Sequence, residues 1–198
     1  MPINNFEFIK QLLTFDNDDE FYFVQIIQRK KDNPGGIHGS NNSNRLIKAY
    51  YITSLKQLNA LESEMIGIAD LFNARIGINL NKRSFYKTAF NTLQTIANQM
   101  HNKDFKSVRR AYNTACGVHN ASSDKLWILD VDEKGRKLND MVNFIDRECQ
   151  PNGAKFKTII PSKQGCHVIT SPFDLREFSV LYPDIEIHKN NPTNLYIP

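Results

Sequence analysis

The last third of the chain alternates two kinds of apolar pattern, and this alternation constrains its fold more than any other feature. Short β-branched and aromatic runs predict strands, whereas apolar residues that recur every three or four positions predict helices. The predicted strands are residues 126–132, 156–160, 166–170 and 185–189, and the predicted helices are residues 138–149 and 174–182. The order is therefore strand, helix, strand, strand, helix, strand.

This order is typical of the ferredoxin-like unit, which is also the fold of RNA-recognition motifs. The first strand of such a unit usually lies between the third and the fourth. Because side chains alternate between the two faces of a strand, Trp127, Leu129 and Val131 are expected to face the helices. Asp130 and Asp132 then lie on the opposite, exposed face.

The same alternation brings polar residues of the later strands to this exposed face. His167 belongs to the third strand, and Asp184 and Glu186 lie at the start of the fourth. Carboxylates at positions i and i+2 of a strand lie about 7 Å apart at Cα, close enough to share a hard cation. We therefore predict a Mg²⁺ or Mn²⁺ site at Asp130 and Asp132, and Asp184 and Glu186 are expected on the same face of the sheet.

Hydrogen-bond donors for phosphate are expected beside this acidic cluster. The imidazole of His167 can donate to a phosphate oxygen, and Ser162, Lys163 and the backbone around Gly165 supply further donors. Divalent cations that bridge phosphates stabilise the attacking and leaving oxygens in phosphoryl transfer. The cluster therefore predicts a nucleotide-binding site.

The first 120 residues predict an α/β subdomain with a different order of elements. Apolar periodicity predicts helices over residues 5–15, 54–72, 84–100 and 105–116, and strands over residues 21–28, 46–52 and 75–80. Ser54 and Ser84 are the expected helix caps. An Asn-, Gly- and Ser-rich segment separates the first two strands and predicts a hairpin with a long tip. We expect an α+β fold in which subdomains 1–120 and 121–198 form one compact module.

The charge and the cysteine content of the chain indicate its compartment and the kind of partner that it can bind. A net charge of +4 suits a polyanionic partner without requiring one. The three cysteines are widely spaced, which indicates free thiols in a reducing compartment. The sequence shows no signal peptide and no apolar run long enough to cross a bilayer. We expect a cytoplasmic protein with no membrane partner.

Three motifs of the second half resemble those of the archaeo-eukaryotic primases and primase-polymerases, in the same order. Trp-Ile-Leu-Asp-Val-Asp (127–132) resembles their apolar run followed by Asp-x-Asp. Pro-Ser-Lys-Gln-Gly-Cys-His-Val-Ile-Thr (161–170) is similar to their second motif, in which a small residue, here Gly165, precedes the histidine by two positions. Asp-Ile-Glu-Ile-His-Lys (184–189) resembles their third motif, an acidic residue that begins a late strand.

The resemblance implies a metal-dependent nucleotidyltransferase that adds nucleotides from NTP or dNTP on a nucleic-acid template. It implies that the RNA-recognition-motif-like half packs against the N-terminal half, with the active site in the cleft between them. Carried over by position, Asp130, Asp132 and Asp184 are catalytic metal ligands, and His167 contacts the phosphates. Glu186 shares a face with Asp184 and is the alternative third metal ligand. Gly165 stands where serine is frequent, and residues 190–194 replace a segment that often contains arginine, so the nucleotide contacts are expected to differ.

The same resemblance implies a single-stranded or primed DNA template along the basic residues of the first half. The first candidates surround the hairpin, and they are Arg29, Lys30, Lys31, Arg45 and Lys48. Arg75 and Lys82 are the second candidates. No helicase, zinc-stem or C-terminal priming domain fits in the chain. Three interpretations stay open: a minimal polymerase-like core, a fragment, or a subunit whose partner, such as a helicase, is separately encoded.

Two other functions remain open at this point. Residues 130–138 resemble the nucleophile loop of haloacid-dehalogenase phosphatases, in which the first aspartate attacks phosphorus. That family usually has Gly-Thr after its second aspartate, whereas Glu133 and Lys134 follow here. The other alternative is a non-catalytic RNA-recognition-motif-like module, which stacks bases on aromatic residues of its open face. The predicted face is acidic instead.

Overall fold

The computed structural model describes residues 1–34, 44–118, 124–132 and 138–198. The first part of the chain contains β1 (Ile3–Asn4), α1 (Phe6–Lys10), β2 (Glu20–Arg29), β3 (Asn44–Ile52), α2 (Leu55–Phe72), β4 (Arg75–Ile78), β5 (Arg83–Ser84), α3 (Phe85–His101) and α4 (Ala111–Val118). The second part contains β6 (Trp127–Val131), α5 (Leu138–Arg147), β7 (Phe156–Pro161), β8 (Cys166–Thr170), α6 (Arg176–Leu181), β9 (Glu186–His188) and β10 (Thr193–Ile197). Short 3₁₀ turns cover Lys30–Asp32 and Val108–Arg110.

These elements form two antiparallel sheets, so the predicted α+β class is confirmed. The first sheet has the order β1-β10-β4-β2-β3, with β5 paired to β2. The predicted hairpin corresponds to β2 and β3, which pair from Tyr22↔Ile52 to Arg29↔Asn44. Its tip, residues 35–43, lies outside the described residues.

Helix caps in the first half follow the sequence prediction. Ser54 Oγ accepts a hydrogen bond from the Gln57 backbone N–H at 3.1 Å, and Ser84 Oγ accepts one from the Lys87 N–H at 3.0 Å. These bonds satisfy donors that have no partner within the helix. The predicted helix 5–15 is too long, because α1 ends at Lys10. The chain then departs from helical geometry, and Leu13 becomes buried in the core of the first sheet.

The second sheet has the order β7-β8-β6-β9, with β6 between β8 and β9. Leu129 and Val131 pack against Met141 and Ile145 of α5 and Phe178 of α6, so the predicted helix-covered face is confirmed. The opposite face is not fully exposed as expected. Its residues Ile128, Ile160 and Ile169 are buried in the core of the first sheet, because the two sheets pack against each other there.

The final strand was not predicted from the sequence. β10 follows β9 but pairs with β4 and β1, so the last residues leave the second sheet and join the first. The contacts that select this position are distant in sequence, for example Thr193↔Ile78 and Ile3↔Ile197. As a result, the chain crosses between the sheets twice, once before β6 and once after β9.

Buried asparagines hold these crossings in place. The Asn81 amide donates to the carbonyls of Leu126 and Lys189, at 3.0 Å each, and its Oδ1 accepts from the Leu126 N–H at 2.7 Å. Asn79 donates to the Asn190 carbonyl at 2.7 Å. A third residue, Asn5, donates to the carbonyls of Pro161 and Asn194. Asn81, Asn79 and Asn5, called here the asparagine clasp, join the two sheets by hydrogen bonds to the backbone.

All three cysteines are free, as their spacing predicts. Cys116 and Cys149 are buried, and Cys166 is partly exposed. Within the described residues, no helix combines the length and the apolar character needed to cross a membrane.

Replacement of the central clasp residue tests this account of the fold. We expect Asn81→Ala to lower the free energy of unfolding by about 3 kcal/mol, because it removes three hydrogen bonds of a buried side chain to the Leu126 and Lys189 backbone. Urea unfolding followed by circular dichroism measures the change. The exposed Asn98→Ala on α3 is the matched control and should lose no stability. Equal stability of the two variants would contradict the clasp.

Candidate functional site

A cleft of about 640 Å³ lies between the two sheets. Residues of both sheets line it, so it exists only because the asparagine clasp and the shared apolar core fix the sheets against each other. Its charged and hydroxyl-bearing lining residues are Arg29, Lys31, Asp32, Arg75, Asp130, Asp132, Ser162, Lys163, His167, His188 and Thr193. Most predicted site residues of the second half thus lie in one place.

The predicted acidic residues occupy one face of the second sheet. Asp130 is paired in register with His167 on β8 and with Glu186 on β9, and side chains directly opposite each other in an antiparallel pair lie close together. A second cavity of about 480 Å³ is lined by Asp130, Asp132, Asp184 and Glu186. Because both cavities include Asp130 and Asp132, these two carboxylates lie at the junction of the two spaces.

The fit of a metal ion rests on this pair of carboxylates. Within the described residues, no three His, Cys, Asp or Glu side chains are grouped closely enough to hold a metal on their own. Mg²⁺ is usually bound by one or two carboxylates, with waters and substrate phosphates completing the octahedron. Asp130 and Asp132 therefore fit a metal ion that is also coordinated by a substrate phosphate. They do not fit a metal ion that is coordinated by protein side chains alone. Asp184 or Glu186 as a further ligand stays a prediction.

His167 is held between the two sheets. Its Nδ1 lies 2.8 Å from Thr193 Oγ1 on β10, and its Nε2 lies 3.5 Å from Asp130 Oδ1. Burial lowers the pKa of His167 below its ordinary value, against the opposing influence of Asp130. The imidazole is therefore mainly neutral at neutral pH, with Thr193 fixing the orientation of its ring.

Thr193 is a site residue that the sequence did not reveal. It is almost fully buried, at 1% exposure, and it lines the cleft beside His167. No local pattern links positions 167 and 193, because β10 belongs to the other sheet. His188 of β9 also lines the cleft, and its Nδ1 lies 3.0 Å from Asn191 Nδ2.

Positive charge reaches the cleft from both sheets. Arg29 and Lys31 come from the end of β2 and the turn after it, and Lys163 comes from the loop between β7 and β8. Burial lowers the pKa of Arg29, as does the neighbouring Arg75, whereas Asp32 and Asp130 favour its charged form. Asp130 thus lies within electrostatic reach of a guanidinium from the opposite sheet.

The other predicted nucleic-acid contacts are placed differently. Lys48 forms an ion pair with Glu64 on α2, and Lys82 forms ion pairs with Glu20 and Asp16. Neither lysine lines the cleft. Arg75 lines the cleft but donates two hydrogen bonds of 2.8 Å to the carboxylate of Asp32. Lys30 lies in the turn next to Lys31, and Arg45 lies on β3 opposite Gln28.

The loop between β7 and β8 gives Gly165 a different role from the predicted one. The Gly165 N–H donates to Ser162 Oγ at 3.1 Å, and the Ser162 N–H donates to the Gly165 carbonyl at 3.0 Å. The Gly165 amide is thus engaged within the loop and not directed to a ligand. A Cβ at this position would lie 1.9 Å from the Val131 carbonyl oxygen and 2.9 Å from Asp132 Cα. Glycine is required because the loop touches the backbone that carries Asp132.

Two glycine substitutions test this close approach. We expect Gly165→Ala to lower the free energy of unfolding by about 3 kcal/mol, because the new methyl group collides with backbone that cannot rotate away. Gly67→Ala is the control, since Gly67 is exposed within α2 and its Cβ would meet nothing within 4 Å. It should stabilise the protein by about 0.5–1 kcal/mol. Thermal unfolding of both variants distinguishes the two positions, and a neutral Gly165→Ala would refute the packing.

Comparisons with known proteins return no relative of this chain. No model of a protein family, no curated protein and no solved structure matches it. The resemblance of the three motifs to primases therefore stays an expectation.

Proposed function

We propose that this protein is a metal-dependent nucleotidyltransferase of the primase-polymerase type that binds nucleoside triphosphates in the cleft between its sheets. One observation carries the proposal: Asp130 and Asp132 share a single cleft with Arg29, Lys31 and Lys163. A binding site for a metal–triphosphate complex needs negatively and positively charged side chains close together. Carboxylates bind the cation, and guanidinium and ammonium groups bind the phosphate oxygens.

The arrangement of the second sheet supports this proposal. Its order β7-β8-β6-β9, with α5 and α6 packed on one face, suits an RNA-recognition-motif-like unit. Its acidic residues lie on the other face, which is turned toward the first sheet. This is the relation that the resemblance to primase-polymerases implies, with the active site between the two halves.

Mg²⁺ or Mn²⁺ would be held by Asp130 and Asp132, and when bound it neutralises the triphosphate and polarises the attacked phosphorus. The protein's own residues bind and orient the substrate. A neutral His167 that accepts a hydrogen bond from the Thr193 hydroxyl carries its proton on Nε2, the nitrogen that lies toward Asp130. That N–H is available to a phosphate oxygen, while Arg29 and Lys163 neutralise the remaining charge.

The alternative functions have less support. A haloacid-dehalogenase phosphatase has a doubly wound sheet, whose strands are mostly parallel, whereas β6 is antiparallel to both of its neighbours. A base-stacking RNA-recognition module needs exposed aromatic rings on its sheet. No phenylalanine, tyrosine or tryptophan is among the described residues that line the cleft.

A DNA template is proposed along the rim of the cleft formed by Arg29, Lys30, Lys31 and Arg45. These residues lie at the end of β2, in the turn after it and on the adjacent strand β3. Lys48 and Lys82 are left out of this proposal, because nearby carboxylates of the same chain already neutralise them.

Loss of the acidic pair tests the proposed activity. We expect Asp130→Asn and Asp132→Asn each to reduce Mn²⁺-dependent nucleotide incorporation on a primed or unprimed DNA template by about 100-fold or more. The physical reason is that an amide binds the cation far more weakly than a carboxylate does. Incorporation of a labelled nucleotide measures activity, and titration calorimetry with Mn²⁺ and a nucleoside triphosphate measures binding separately.

Asp140→Asn is the matched control, since Asp140 lies on an exposed position of α5. It should keep full activity. Incorporation that persists within a few-fold in both folded cleft variants would rule out the site. Absence of incorporation by the parent protein, with every template and either metal, would rule out the proposed function.

The cationic residues supply a further prediction. We expect Arg29→Gln and Lys163→Gln each to weaken nucleoside triphosphate binding about ten-fold, because each removes a charged donor to phosphate. Lys48→Gln is the control, as Lys48 is paired with Glu64 and does not line the cleft. Titration of each variant with a nucleoside triphosphate at two salt concentrations measures the affinity and shows how far salt weakens it. Equal affinities for all three variants would contradict the proposed phosphate contacts.

A further inference from the structure

The turn after β2 carries Lys31, which lines the cleft, and an ion pair attaches this turn to β4. Arg75 donates to the Asp32 carboxylate from Nε and from Nη2, at 2.8 Å each. Both side chains are largely covered, at 13% exposure for Asp32 and 14% for Arg75. Two parallel hydrogen bonds fix the relative orientation of a guanidinium and a carboxylate, which a single contact does not. The turn is therefore held in one orientation against β4.

Both members of this pair are charged at neutral pH. Burial opposes the ionisation of Asp32, but the hydrogen bonds from Arg75 hold the pKa of its carboxyl below the ordinary value. Arg29 and Lys163 favour the carboxylate in the same way. The attachment of the turn is therefore a charged pair under the conditions in which the cleft binds its substrate.

Hydrogen bonds between amides hold the same turn more weakly. Asn33 donates to the Asn73 carbonyl at 2.9 Å, and Asn73 donates to Asn33 Oδ1 and to the Asp32 carbonyl at 3.1 Å each. These hydrogen bonds are exposed, so water competes for the same groups. The covered, charged pair of Asp32 and Arg75 therefore contributes the larger part of the attachment.

We infer that Asp32 and Arg75 are positioning residues for the cations of β2 and of its turn. They hold Arg29 and Lys31 where these side chains bind the triphosphate, so the inference rests on the proposed function. Arg29 is the last residue of β2, and Lys31 directly precedes Asp32 in the turn. A long cationic side chain loses conformational entropy when it binds phosphate, and a fixed backbone reduces that loss.

The charge of the pair separates positioning from direct phosphate binding. Asp32 and Arg75 both line the cleft, but together they add no net charge to it. Two donors of Arg75 are already engaged by Asp32, and a carboxylate beside a triphosphate repels it. The pair therefore assists binding through the position of its neighbours and not through its own charge.

A charge-neutral double variant tests the inference. Asp32→Asn together with Arg75→Gln removes the ion pair without changing the net charge of the cleft, so a purely electrostatic role predicts unchanged affinity. Positioning predicts that Mn²⁺–ATP binds about ten-fold more weakly, because two long side chains must then be ordered on binding. Titration calorimetry of the full chain measures the affinity.

The matched control is the double variant Lys10→Gln with Glu62→Gln. This ion pair is also partly covered, its removal is also charge-neutral, and it joins α1 to α2 without lining the cleft. The control should bind Mn²⁺–ATP like the parent. Circular dichroism verifies that each variant is folded.

A further substitution shows whether the pair acts through Lys31. In the parent, Lys31→Gln should weaken Mn²⁺–ATP binding about five-fold, because it removes a charged donor to phosphate. In the variant that lacks the pair, the same substitution should change the affinity less than about two-fold, since the lysine is no longer positioned. A purely structural role of the pair does not alter the contribution of Lys31.

Parental affinity in the variant that lacks the pair, or an equal effect of Lys31→Gln with and without the pair, would overturn the inference while leaving the proposed function intact. A parent protein that binds no Mn²⁺–ATP would remove the proposed function and this inference together.

Discussion

The asparagine clasp holds the two sheets together where the chain passes from one to the other. Asn81 alone binds the chain just before β6 and just after β9, so it fixes both crossings between the sheets. Backbone groups at such crossings have no ladder partner, and an amide side chain that donates and accepts satisfies them. The shared apolar core around Ile128 and Ile169 supplies the accompanying hydrophobic stabilisation.

The cleft takes its chemistry from this fixed separation of the sheets. Asp130 and Asp132 come from one sheet and Arg29 from the other, close enough to interact electrostatically while leaving room for a ligand. The crossing strand β10 contributes directly, since Thr193 orients His167. Arg75 and Asp32 both line the cleft and neutralise each other. Among the described lining residues, Arg29, Lys31 and Lys163 are the other lysines and arginines. A site with separated charges and a neutral imidazole suits a metal–triphosphate substrate.

Features that depend on near neighbours in the chain could be predicted from the sequence. Ser54 and Ser84 cap their helices because each needs only an N–H three residues away, and strand alternation placed Leu129 and Asp130 on opposite faces of β6. Which distant residues meet could not be predicted from the sequence. The position of β10, the contact between Thr193 and His167, and the need for glycine at 165 all arise from pairing and packing between segments far apart in the chain. Local periodicity carries no information about such contacts, because their selection depends on the free energy of burying both partners together.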